Sequence, residues 1–310
     1  MKQDTRHHRG KIRYGLLLTS LGGLLYTFDL PLLRLSGLDT WTLMFARGVL
    51  LFFAITVVWC VSRLVKKDDM PLIAGGAGLA VIVINAVAGF SYVGAIKSTP
   101  AANVVFILAI TPLITVFLSR IFMGEKAHPF TWSAVAICFL ATGTIVRDSL
   151  AVGSVMGDLL ALLCAVCMAA TLTIIRASGK NLVPSLGLGS LLSAIVVLLF
   201  FDVAPNSLFN IAAMGMPAWF WVALNGLVAI PLALSLVAQG PRYLPSVDVS
   251  MFFLLETVLT PIWVWLLLAE APSTLVLVGG VLIVVTLFAH SVWRARAGLN
   301  QFRKVAIVYD

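Results

Sequence analysis

Charge is scarce in this chain: Asp, Glu, Lys and Arg make up 11% of its 310 residues, against 61% hydrophobic residues, and the mean hydropathy is +1.05. Soluble domains carry about a quarter charged residues and about half apolar ones. The composition therefore excludes a water-soluble globular core and fits a chain dissolved in a bilayer. Histidine and cysteine are also rare, at four each. Cys60, Cys138, Cys164 and Cys167 all lie inside apolar runs. Cys164 and Cys167 form a CxxC, but no second Cys or His pair stands at zinc spacing. Thiols in such surroundings pack as small hydrophobes, so neither a metal nor any other cofactor is expected. A dinucleotide fingerprint after a strand, a P-loop, HExxH and GxSxG are all missing.

What is abundant is apolar sequence in long pieces. Ten runs stand out, at 14–33, 40–62, 72–94, 99–121, 130–147, 155–176, 184–202, 217–238, 245–268 and 274–293. Most approach the ~20 residues that carry a helix across ~30 Å of hydrocarbon. None alternates apolar and polar residues as a membrane β-barrel strand does. The basic start before residue 14 resembles a signal peptide, but the run that follows is long enough to span and reads as a retained first helix. The longest connection, around 203–216, is too short for a folded domain, so function belongs to the helical bundle. The expected fold is an all-α polytopic membrane protein of ten transmembrane helices.

The net charge of +8 is distributed by loop. With the N-terminus inside, the same side receives Lys2, Arg6, Arg9, Lys11 and Arg13 from the tail, then Arg63, Lys66, Lys67, Arg120, Lys126, Arg176, Lys180 and Arg242 from loops. The C-tail adds Arg294, Arg296, Arg303 and Lys304, for a total of 17. Only 3 (Arg34, Lys97 and Arg147) fall on the other side, and Arg47 lies within a run. The positive-inside rule then makes both termini cytoplasmic in a bacterial inner (plasma) membrane. Charge confined to short loops is not the basic face of a folded domain that nucleic acid requires, so no nucleic-acid partner is expected.

The two halves resemble each other weakly. Leu32-Leu33-Arg34-Leu35-Ser36-Gly37 parallels Ile174-Ile175-Arg176-Ala177-Ser178-Gly179, each ending the first run of its half. Pro100 opens the fourth run as Pro245 opens the ninth, and at that offset Glu125 matches Glu270. Five spans per half is odd, so the halves would insert in opposite senses, an arrangement that places a substrate site near the midplane. The domains expected are an N-tail at 1–13, repeats at 14–147 and 155–293, and a C-tail at 294–310.

Several of these segments resemble the EamA-type transporters of the drug/metabolite transporter superfamily. They are Arg242-Tyr243-Leu244-Pro245, Leu255-Glu256 and Trp265-Leu266-Leu267-Leu268-Ala269-Glu270 in the second half. The first half adds Ser98-Thr99-Pro100-Ala101-Ala102, Thr111-Pro112, Gly124-Glu125 and Ala46-Arg47-Gly48. Thr257 stands where that family commonly has proline, Ala269 where it has glycine, and Asp248 where it has a small or apolar residue. The resemblance implies ten spans in two inverted five-helix repeats. It also implies a cavity lined by spans one, three, four, six, eight and nine, and transport of small metabolites, often outward.

Ionisable groups inside spans are costly and mark function or a partner. Glu256 lies midway along the ninth run, ~18 Å from its outer end at 1.5 Å per residue, with Thr260 and Trp263 on its face. It is a candidate for a cationic group or a coupling proton, the alternative being a structural carboxyl bonded to a neighbouring helix. Asp29 and Arg47 sit ~6 Å and ~10 Å below the outer ends of the first two runs, depths that suit an ion pair serving either to gate or to fix the helices. Asn85, Gly89 and Tyr92 follow i, i+4, i+7 in the third run. With Tyr26, Asn103, Thr111, Trp221, Asn225 and Gln239 they form a candidate substrate-binding lining. The asparagines serve equally as interhelical hydrogen-bond donors, and the aromatics as an interfacial belt. Asp158 and Asp248, in first turns, read as helix caps, and Glu125 and Glu270 as interfacial anchors. Pro112, Pro231 and Pro261 mark kinks.

The function expected is a secondary transporter, not an enzyme. It would move an amino-acid-like or other polar or amphipathic metabolite by alternating access, as exporter or exchanger. The competing class, an integral-membrane lipid-modifying enzyme, needs a His, Asp or Ser cluster near one interface. His290 is the one histidine inside a run, and no acid or serine partner stands one helical turn from it in sequence. A channel would need rings of like charge or a carbonyl filter. The partners are a small-molecule metabolite and the lipid bilayer; no pattern fixes an oligomeric state, and a monomer is compatible with the sequence.

Overall fold

A chain in hydrocarbon must satisfy its backbone hydrogen bonds within each segment. The computed structural model describes residues 2–66, 71–99, 104, 107–125, 127–146, 155–268, 274, 278–279, 281–290, 292–293 and 296, and they do so as helix. In chain order they form α1 (Lys2–Tyr26), α2 (Asp29–Leu35), α3 (Thr40–Lys66), α4 (Gly75–Ser98), α5 (Thr111–Met123), α6 (Pro129–Val146), α7 (Val155–Ser178) and α8 (Val183–Phe200). After them come α9 (Ala218–Ala223), a π-helical turn (Leu224–Ala229), α10 (Ile230–Val237), α11 (Ser246–Ser250), α12 (Leu254–Leu268) and α13 (Val281–His290). The β interaction among the described residues is one isolated bridge, Ile211 to Pro217, in the connection after α8.

Seven helical stretches among the described residues are long and apolar enough to cross a membrane: Ile12–Leu35, Thr40–Leu64, Gly75–Ser98, Val155–Ser178, Val183–Phe200, Ala218–Arg242 and Ser246–Leu267. Thr111–Met123, Pro129–Ala141 and Val281–His290 are shorter apolar helices. Large side chains such as Phe53, Leu140, Leu199 and Phe288 point outward. Water would penalise that surface and lipid does not, so the chain is a multi-pass membrane protein.

Local chemistry sets the helix ends and breaks. Asp39 caps α3, its Oδ2 accepting the N–H groups of Trp41 at 3.1 Å and Thr42 at 3.0 Å. Its partial burial pulls the carboxyl pKa up, but those hydrogen bonds outweigh it and hold the group below the usual carboxylate range. Gly124, at φ +65°, closes α5, and the N–H groups of Gly124 and Glu125 turn back to the carbonyls of Arg120 and Ser119.

Pro31 has no N–H to offer the Thr27 carbonyl, and the first run is broken between Tyr26 and Asp29. The Thr27 carbonyl instead accepts from Thr260 Oγ1 at 3.4 Å, and Trp263 Nε1 donates to Thr27 Oγ1 at 2.8 Å. Pro231 likewise follows the π turn that carries Asn225. Pro112 stands at the start of α5 rather than in mid-helix.

The bundle pairs helices from the two parts of the chain: α3 with α8, α4 with α7 and α8, α1 with α10, and α5 with α7 and α11. Small residues permit the closest crossings. A Cβ on Gly48 would stand 2.6 Å from the Ser190 carbonyl oxygen, and one on Gly189 2.6 Å from that of Ile82.

Candidate functional site

Asp29 begins α2 just past the break, and its carboxylate turns into the bundle, 1% exposed. Arg47 Nη2 donates to Asp29 Oδ2 at 2.7 Å. Asn225, presented by the π turn, donates through Nδ2 to Asp29 Oδ1 at 2.7 Å and accepts from Arg47 Nε at 3.3 Å. Both carboxylate oxygens of Asp29 are thereby satisfied, and the arginine charge is balanced. A buried pair with this geometry is tolerated where a lone charge is not.

Glu256 occupies α12, buried and opposite α4. Tyr92 donates its hydroxyl to Glu256 Oε1 at 3.0 Å, and the Arg47 guanidinium lies over the same tyrosine ring, 5.5 Å from its centroid. Two carboxylates therefore face one guanidinium, and Glu256 takes the partner that carries no charge. A proton or a cationic group at Glu256 would complete the charge balance.

These side chains line a central cavity with about 90 Å³ of water-accessible room, enough for a few waters at ~10–15 Å³ each. Tyr26, Asp29, Arg47, Asn85, Gly89, Tyr92 and Glu256, all named from sequence, are in its wall. Asn85 is held there by bonds from its Nδ2 to the Leu186 carbonyl at 2.9 Å and to Ser190 Oγ at 3.3 Å. Asn225 is not in the wall but stands behind it, clamping Asp29 and Arg47. Asn103 lies outside the described residues, as do Pro100 and Glu270.

Other sequence expectations land elsewhere. Trp221 packs with Leu32, Leu35 and Phe28 and donates its indole N–H to the Ala213 carbonyl at 3.2 Å, away from the cavity wall. Thr111 donates to its own chain at Leu108, and Gln239 lines a separate cleft. Glu125, expected as an interfacial anchor, forms an ion pair with Arg176 at 3.1 Å. Asp158, expected as a cap, accepts from Thr99 Oγ1 at 2.9 Å and so ties α7 to the end of α4.

Asp248, in the first turn of α11, lies 3.7 Å from His290 Nε2, which also meets Thr131 Oγ1 at 3.2 Å. His290 thus has the acidic neighbour that was not visible along the sequence, because α11 and α13 are distant in the chain and adjacent in space. Both of these contacts fall on Nε2.

Sequence reasoning missed part of the wall. α3 and α8 contribute Met44, Gly48, Ser190 and Ser193, and α7 contributes Cys164 and Met168. The Gly and Ser spacing in α8 (Gly187, Gly189, Ser190, Ser193) was the available signal, being a small-residue face on a helix with little other polarity.

A family model described as the EamA-like transporter family matches the chain twice, over residues 13–147 and 155–292. No curated protein matches it. A solved crystal structure superposes with a TM-score of 0.70 at 18% identity, covering 88% of this chain and 95% of its own. At that identity the likeness is one of fold.

Proposed function

We propose, because the chain belongs to the EamA-like transporter family, that it is a secondary transporter moving a small amino-acid-like or otherwise amphipathic metabolite by alternating access, as exporter or exchanger. The observation that carries this reading is the central cavity, formed around Glu256, Tyr92, Arg47 and Asp29 and walled by helices from both matched segments. Such a site sits where a carrier holds its substrate between two rocking halves.

Ten spans in two inverted repeats fit this arrangement, with Thr111–Met123, Pro129–Ala141 and Val281–His290 completing the seven longer helices. The helix pairing supports it. Exchanging the halves turns the contact of α4 with α7 into that of α10 with α1, and maps the contact of α3 with α8 onto itself. Asn85 and Asn225 follow the same exchange: one braces α4 against α8, the other braces the π turn against α2 and α3. With both termini cytoplasmic, the cleft beside Lys180 and Arg242 faces the cell interior.

In this reading Tyr26, Asn85, Tyr92 and Glu256 contact substrate, and Asn103 belongs to the same lining. Asp29, Arg47 and Asn225 fix or gate the first two spans, and Glu256 takes a cationic group or a coupling proton. No ATP-binding motif is present in the sequence, so a gradient or the substrate itself supplies the driving force. Purified protein in liposomes tests the class: counterflow of labelled metabolites supports the carrier, and chemical turnover without translocation supports the lipid-modifying enzyme instead.

A further inference from the structure

A second, larger cleft of about 670 Å³ opens among the ends of α3, α4 and α8 and the segment after α10. Its volume falls in the ~300–1,000 Å³ range of small-molecule sites. Ser62, Asn181 and Gln239 line it, and the charged residues among its described lining are Lys180 and Arg242, both cationic. Neither side chain forms an ion pair or hydrogen bond among the described residues, although Arg176, close by in sequence to Lys180, is engaged by Glu125 and the Pro241 carbonyl. Ser235 also lines the cleft, with its Oγ buried and without a hydrogen-bond partner.

The cleft lies in series with the central cavity. A small intermediate cavity shares Tyr26, Asn85 and Leu234 with the central one. Its other end is Ile175, Leu186 and Ala238, which belong to one apolar cluster with Val183 and Ala74 of the cleft wall. One layer of apolar side chains thus separates the cleft from the path to Glu256. Two cations unpaired among the described residues, in a cleft with low-dielectric walls, concentrate anions. In the central cavity, by contrast, Arg47 is already balanced by Asp29.

We propose that this cleft is a docking site for an anionic group, a carboxylate or phosphate, on the transported solute, occupied before the apolar layer opens. The proposal rests on the carrier reading. An anionic lipid headgroup offers the same chemistry, but continuity with the central cavity favours the solute.

The test places a single cysteine at the cleft, Ser62→Cys, in a full-length chain whose four native cysteines are replaced by alanine, in phosphatidylcholine nanodiscs. Its labelling by an anionic (sulfonatoethyl) and a cationic (trimethylammonioethyl) methanethiosulfonate reads the local potential. The anionic reagent is expected to be favoured about tenfold over its preference for a free thiol in water. Lys180→Gln with Arg242→Gln should abolish the preference, and the charge-retaining Lys180→Arg with Arg242→Lys should keep it. Benzoate or inorganic phosphate should slow labelling, and the neutralised variant should raise the KM of counterflow.

Equal labelling rates overturn the site. Protection by phosphatidylglycerol nanodiscs without protection by benzoate or phosphate assigns the cleft to lipid and overturns solute docking. So does an unchanged KM in the neutralised variant. Counterflow absent from every variant, with the anion preference intact, removes the carrier premise and with it the solute as the docked anion.

Discussion

Glu256 accepts a hydrogen bond from Tyr92 at 3.0 Å, and the same tyrosine ring carries the Arg47 guanidinium on its face at 5.5 Å. Arg47 therefore stands next to Glu256 but is committed elsewhere, to Asp29 at 2.7 Å and Asn225 at 3.3 Å. The cavity keeps one carboxylate whose partner carries no charge, and several expectations derive from that arrangement.

Asp29 and Arg47 are both buried, so removing one leaves the other uncompensated. Asp29→Asn alone should cost ~3–5 kcal/mol, and the double variant Asp29→Asn/Arg47→Gln should recover most of it. Thermal unfolding of the purified proteins in one detergent measures both. Equal losses in the single and double variants would contradict the pairing.

The contact of α3 with α8 depends on Gly48 having no side chain. Gly48→Ala places a Cβ 2.6 Å from the Ser190 carbonyl oxygen and 2.9 Å from Ala194 Cβ. The helices must part, at a cost of ~1–3 kcal/mol. Gly76→Ala meets nothing within 4 Å and should stay within ~0.5 kcal/mol of the parent. A melting comparison in which both substitutions behave alike would refute the close crossing.

Asp39 lies outside the spans, so its cap is open to pH. Asp39→Ala should cost ~1 kcal/mol at neutral pH through loss of the cap. Because the folded-state pKa is lowered, the stabilisation is complete above the unfolded value of ~3.9 and fades as pH falls through the folded one. The difference in melting temperature between parent and variant should be constant from neutral pH down to about 5 and narrow below about 4. A gap that widens on acidification would have the wrong sign.

The apolar runs were legible because hydropathy depends only on composition and length. The polar candidates on them were legible because ionisable groups in hydrocarbon are costly. Depth along a span, counted at 1.5 Å per residue, was enough to pair Asp29 with Arg47. What remained hidden was contact between spans distant in sequence. Asp248 reads along the chain only as a first-turn carboxylate, and its neighbour His290 comes from α13; the Trp221 indole turns to Ala213. Pro31, which frees the Thr27 carbonyl for Thr260, was passed over because it lies near the end of an apolar run rather than at its centre. The serines of α8 were unmarked because a hydroxyl that bonds its own helix, as Ser190 does to Leu186, leaves no signature in hydropathy.

The central claim is that Glu256 is the group through which this transporter family member binds a cationic or protonic partner. Counterflow in proteoliposomes with a panel of labelled amino acids and amines, measured across external pH for parent and Glu256→Gln, tests it most directly. The account predicts that the parent accumulates at least one member of the panel with a rate that depends on pH. The folded Glu256→Gln protein should lose that dependence or the transport itself. Unchanged rate and unchanged pH dependence in Glu256→Gln would contradict it.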